Sequence, residues 1–174
     1  RYTAQTEGSE VWGDIVAIGD VNGDGEEDLV LGDGNTTNED AEGSAGSIYV
    51  MFSTLIDDVG TTTGNNKDLD TGTNYNVRYD GAAESDFLSY SNNLYIGDVN
   101  SDGLGDVVVG SAGADTNGTD SGAVYVIFST LLDDVGATSG NIKNLETSSN
   151  YNIRYDGSTG LLLGQSNGTY IGDV

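Results

Sequence analysis

The 174 residues carry 29 acidic against 5 basic side chains, a formal charge of −24, and no Cys, His or Pro. Such a surface excludes nucleic acid and anionic membrane as partners, since both need Lys/Arg patches. Without Cys there is neither a disulfide framework nor thiol chemistry, and without His the commonest general base and transition-metal ligand is missing. No apolar run approaches the ~18 residues of a membrane span.

The first predicted strand runs from about Ile15 to Gly19 and leads into Asp20-Val21-Asn22-Gly23-Asp24-Gly25-Glu26-Glu27-Asp28. Oxygen donors at positions 1, 3, 5 and 9 of this turn, with Gly at 6, suit a hard cation. Calcium takes six to eight oxygens, some from backbone carbonyls and water. Asp20, Asn22, Asp24 and Asp28 are the expected side-chain ligands, and Glu26 is expected to offer its carbonyl. An EF-hand would need a Glu at position 12 and flanking helices. Here position 12 is Leu31, inside a second apolar stretch from Asp28 to Gly32 that reads as a buried strand. A third strand is predicted from Ser47 to Ser53 and an Asp- and Thr-rich stretch from Thr54 to Thr73. In the fourth, Tyr75 to Tyr79, Tyr75, Val77 and Tyr79 share one face while Asn76 and Arg78 share the other, which predicts a half-exposed strand.

The pattern then repeats. Asp98-Val99-Asn100-Ser101-Asp102-Gly103-Leu104-Gly105-Asp106 follows the first loop by 78 positions, with Leu104 at the carbonyl position, and Asp173-Val174 starts it again. Ser53 to Gly60 returns as Ser129 to Gly136, and Asn74 to Gly81 as Asn150 to Gly157, each 76 positions on. The second set of strands is predicted at Asn93 to Gly97, Asp106 to Gly110, Ala123 to Ser129 and Tyr151 to Tyr155. A fixed period means a propeller, solenoid or array. Three apolar strands without alternation, then a wetter one, predict an all-β chain of propeller blades with four antiparallel strands each. The expected division is a first repeat over 1–77, a second over 78–153 and the start of a third over 154–174. No helical periodicity is found. The basic residues recur at equivalent places (Arg1, Arg78 and Arg154; Lys67 and Lys143) and are expected to pair structurally with carboxylates.

These residues resemble the FG-GAP repeat of the integrin alpha-subunit N-terminal β-propeller, found also in large bacterial and archaeal surface proteins. The resemblance is carried by Ile18-Gly19-Asp20 through Gly32 and Ile96-Gly97-Asp98 through Gly110, each followed by Gly46-Ser47-Ile48-Tyr49-Val50 or Gly122-Ala123-Val124-Tyr125-Val126. Trp12-Gly13 and Leu163-Gly164 look like the Phe-Gly element, and Leu88-Ser89 departs from it. The resemblance implies structural calcium in a hairpin between the first two strands of each blade. It also implies adhesion, or binding of a protein or carbohydrate, through loops on one face.

Millimolar free calcium is an extracellular condition, so the expected location is extracellular or at the cell surface. Catalysis is not expected: the acidic pairs Asp57-Asp58 and Asp133-Asp134 repeat with the fold, whereas a catalytic dyad is normally unique. The competing reading is a structural repeat of a surface layer or fibre built by self-association. Two repeats leave apolar blade faces that neighbouring repeats or identical chains must cover, and the third loop should lend Asp173 as a further ligand. Asn35, Asn117 and Asn167 match the glycosylation acceptor pattern.

Overall fold

The computed structural model describes residues 2–3, 15–37, 43–57, 63–133 and 139–165. In the first repeat β1 (Tyr2–Thr3) is followed by β2 (Ile15–Gly19), β3 (Asp28–Asp33) and β4 (Ser47–Met51), then by the short helix α1 (Ser53–Asp57), β5 (Lys67–Asp68) and β6 (Val77–Asp80). The second repeat supplies β7 (Leu94–Gly97), β8 (Asp106–Ser111), β9 (Ala123–Ile127), α2 (Ser129–Asp133), β10 (Asn141–Asn144) and β11 (Ile153–Asp156). Strands β2, β3, β4 and β6 pair antiparallel in succession, and β7, β8, β9 and β11 do the same. The fold is all-β, two blades of four strands each, as the repeat predicts.

The blades share one core. Val30, Ile48, Val50 and Val77 of the first blade join Val107, Val109, Tyr125 and Ile127 of the second in a single buried cluster. Ile96 of β7 packs over Gly19 of β2, close enough that a Cβ at residue 19 would stand 2.7 Å from its Cγ2. The opposite face of the first blade buries Tyr49, Met51, Leu69 and Tyr75 beneath Leu55 and Ile56 of α1. Removing such apolar area from water is the main force holding the blades together, at roughly 25 cal/mol per Å².

A backbone latch joins each repeat to the one before it. Gly46 forms a parallel bridge with Leu88, and Gly122 forms the same bridge with Leu163. Both glycines have positive φ, 76° and 71°. A Cβ on either would collide with the backbone of its leucine partner. Phe87 and Leu162, just before each latching leucine, both sit at φ 53°, so this strain belongs to the repeat junction.

Three sequence expectations are corrected. First, β2 is not buried on both faces: Ile15 and Ala17 pack on the shared core, while Val16 and Ile18, on the opposite face, are 56% and 64% exposed. Second, the fourth strand of the first repeat is not half-exposed. Val77, Arg78, Tyr79 and Asp80 are all buried. The cause is β10, which lies between the predicted third and fourth strands of the second repeat. It pairs parallel with β6, Asn141 opposite Val77 and Lys143 opposite Tyr79, and makes the first sheet five-stranded. Third, short helices do occur, α1 and α2, with a single 3₁₀ turn at Gly72–Asn74 and another at Ser148–Asn150. Five residues are too few to display a 3.6-residue period.

The arginines take the structural role expected of them. Arg78 forms a buried pair with Asp80, and its Nη2 donates to the Thr37 carbonyl at 3.1 Å. Arg154 pairs with Asp156 at 2.7 Å on the surface. Lys143 lies 5.6 Å from the centre of the Tyr79 ring. Arg1 lies outside the described residues.

Candidate metal loops

Both acidic loops connect the first two strands of a blade, β2 to β3 and β7 to β8. Their side chains fold inward onto the loop backbone. In the first, Asp20 accepts hydrogen bonds from Gly23 N at 2.7 Å and Gly25 N at 2.9 Å, Asn22 Oδ1 from Asp24 N at 2.9 Å, and Asp24 Oδ1 from Glu26 N at 2.8 Å. In the second, Asp98 accepts from Asp102 N at 3.1 Å and Gly103 N at 2.9 Å, Asn100 Oδ1 from Asp102 N at 2.9 Å, and Asp102 Oδ1 from Leu104 N at 2.9 Å. These Asx turns explain the spacing: a short side-chain acceptor at every second residue curls the chain around its own donors.

The late aspartates are the anchors. Asp28 and Asp106 are fully buried at the first residue of their strands. Asp28 accepts from Val21 N at 2.9 Å and from Ser53 N at 2.8 Å; Asp106 accepts from Val99 N at 3.0 Å and from Ser129 N at 3.1 Å. Burial raises both carboxyl pKa values above the usual range, against the lowering effect of those amides. Asp24 is held below the usual range, chiefly by the Glu26 amide. The two loops also touch. Gly105 N donates to the Asp20 carbonyl at 2.9 Å, and a Cβ on Gly23 would meet the Leu104 side chain at 3.2 Å.

Among the described residues no three acidic side chains converge closely enough to form a ready-made cation centre. The donor set still fits a hard cation. Each loop offers three carboxylates and one amide oxygen, and an oxygen that accepts one N–H keeps a second lone pair. Ser53 Oγ reaches Asp24 Oδ2 at 3.2 Å, whereas its counterpart Ser129 Oγ is buried beside the second loop with no partner. A buried polar atom left so normally marks a water or an ion. Asp173 lies outside the described residues. Sequence reasoning missed the two serines, although Ser53-Thr54-Leu55 and Ser129-Thr130-Leu131 stand in plain repeat.

At the junction of the repeats, Asn35, Phe87, Tyr90, Asp120, Leu162 and Gln165 help to line a pocket of about 270 Å³. Phe87 and Tyr90 form a tilted ring pair 5.7 Å apart. Of the glycosylation acceptors, Asn35 is half-buried at this pocket, Asn117 donates its amide to the Gly157 carbonyl at 3.0 Å, and Asn167 lies outside the described residues.

Two consecutive four-stranded blades, each opened by an acidic hairpin loop and latched to the next, define a β-propeller type of repeat protein. Residues 12–51 and 92–127 match the sequence profile of the FG-GAP repeat, and the chain carries two repeats of that family. The family is a non-catalytic repeat and binding family, typically extracellular or surface-associated. No curated protein matches the chain. Among the described residues no helix is long and apolar enough to cross a membrane.

Proposed function

We propose that the chain is a calcium-stabilised extracellular binding or adhesion module without catalytic activity, one Ca²⁺ being held by each complete repeat. Asp20, Asn22, Asp24, Asp28 and the Glu26 carbonyl form one ligand set; Asp98, Asn100, Asp102, Asp106 and the Leu104 carbonyl form the other. The observation that carries this reading is the duplicated architecture, in which the same Asx turns precede the same buried late aspartate. The ion would offset two of the three ligand carboxylate charges in each loop, whose mutual repulsion otherwise opposes the turn.

The loops tie the first two strands of each blade together at one end, and the Phe87–Tyr90 pocket opens at the opposite ends of those strands. A pocket with aromatic walls and a few polar groups suits a carbohydrate or peptide side chain. Isothermal titration with CaCl₂ should find two sites in the unaltered chain and one in Asp24→Ala or Asp102→Ala. Absence of calcium binding in the unaltered chain overturns the proposal.

A second reading, a structural repeat of a surface layer or fibre, is favoured by one specific observation. Val16 and Ile18 at one end of the blade pair, and Tyr155 at 57% exposure at the other, are apolar groups left open where blades would stack.

A further inference from the structure

The two repeats form an internal control, because among the described residues the same strand appears once with a covering strand and once without one. Val77, Tyr79 and Arg78 of β6 are 0%, 0% and 3% exposed. Their counterparts on β11, Ile153 and Tyr155, are 36% and 57% exposed, and Arg154 has a side chain 28% exposed. What covers β6 is β10, from the stretch between the third and fourth strands of the following repeat.

The arrangement occurs twice. At the start of the chain β5 pairs parallel with β1, placing Lys67 opposite Tyr2. In the complete version Lys143 stands opposite Tyr79. Tyr2, Tyr79 and Tyr155 each follow an arginine in the repeat. One rule therefore describes both junctions: each Arg-Tyr strand receives a Lys-centred parallel strand from the four-stranded blade that comes next in the chain. The β6 junction is secured by Asn141 N to the Asn76 carbonyl at 3.2 Å, Leu145 N to the Asp80 carbonyl at 2.9 Å, and the Lys143–Tyr79 ring contact.

From this register we infer that the free edge of β11 is a docking site for the parallel insert strand of another repeat of this kind, a segment reading Asn-apolar-Lys-Asn, with its Lys opposite Tyr155 and its Asn opposite Asp156. The chemistry favours the β10 type of strand over the chain's own Asn65-Asn66-Lys67-Asp68. The latter would set Asp68 directly against Asp156, and like charges across a strand pair are destabilising. An open edge of unpaired N–H and C=O groups is a ready template for strand addition. The inference rests on the repeat geometry alone and not on calcium in the loops.

The test uses the unaltered chain and a labelled peptide of residues 139–147, followed by fluorescence polarisation in calcium and again with chelator. Binding is expected at peptide concentrations up to about 1 mM, weakened at least fivefold by Lys143→Glu in the peptide. Register is read by disulfide trapping, which the absence of native Cys makes clean. An Ile153→Cys chain should be trapped by an Asn141→Cys peptide at least tenfold faster than by a Leu145→Cys peptide, because only the first pair lies within disulfide reach.

Undetectable binding to a chain of native circular dichroism, or trapping without register preference, overturns the inference. So does head-to-tail self-association of the chain that excludes the peptide, since the occupant would then be a second copy. Peptide binding in chelator with no calcium uptake would sustain the inference while removing the calcium reading.

Discussion

Arg78→Ala and Arg154→Ala delete the same side chain from two copies of one strand pattern, and the account predicts very different costs. The Arg78–Asp80 pair is buried, with side-chain exposures of 4% and 2%, whereas the Arg154–Asp156 pair stands at 28% and 30%. Removing Arg78 leaves Asp80 charged in the interior with Ser47 Oγ at 2.6 Å as a neutral partner. It also strips a donor from the Thr37 carbonyl and a cation from the Tyr49 ring at 5.9 Å. Breaking a buried pair from one side costs about 3–5 kcal/mol. Breaking an exposed one costs about 0–1 kcal/mol. At about 2–4 °C per kcal/mol for a chain of this size, Arg78→Ala should lower Tm by roughly 6 °C or more and Arg154→Ala by a few degrees at most. Urea unfolding of both variants in saturating calcium, followed by circular dichroism, gives the comparison directly. Equal losses for the two variants would refute the claim that burial of the pair beneath β10 sets its contribution to stability.

Two further outcomes follow from the junction between repeats. Asp86 is 3% exposed and accepts Ala83 N at 3.0 Å, and burial pushes its carboxyl up to about 6. A folded-state pKa above the unfolded value means that the native state holds the proton more tightly. Stability should therefore fall as pH rises from about 4 to about 6 by an amount bounded near 3 kcal/mol and reduced by solvent screening. Asp86→Asn should flatten that part of a denaturation-versus-pH profile, and an unchanged slope would count against the assignment. Gly46→Ala forces a Cβ into the Leu88 backbone at φ 76°, whereas Gly160→Ala at φ 73° meets open space. The first should cost several kcal/mol and the second about 1 kcal/mol, the ordinary penalty for left-handed backbone; comparable urea midpoints would refute the latch.

The strands and loops were legible because each is a local signal. Branched apolar runs such as Leu29-Val30-Leu31 and Val107-Val108-Val109 mark central strands, and the Asx spacing marks the loop whether or not an ion is present. The fifth strand was not legible. Asn141-Ile142-Lys143-Asn144 has little strand propensity, and its pairing is set by a partner more than 60 residues away. The alternation of Tyr75, Val77 and Tyr79 correctly reports two chemically different faces. It does not say that Arg78 would find its carboxylate two residues along and be buried with it. Likewise, the exposure of Ile18 against the partial burial of its counterpart Ile96 depends on which neighbour is present, which a single strand does not encode.

The central claim, that the two acidic loops are calcium sites on which the fold relies, is tested most directly by thermal unfolding in excess CaCl₂ and again after chelation. A ligand bound only by the native state stabilises it by RT ln(1 + [L]/Kd), about 2.7 kcal/mol per site at a hundredfold excess over Kd. The account predicts a Tm that climbs with calcium concentration, falls on chelation, and responds only partly when Asp24→Ala or Asp102→Ala disables one loop. A melting curve that does not move between calcium and chelator would contradict it, leaving the loops as hydrogen-bonded turns and nothing more.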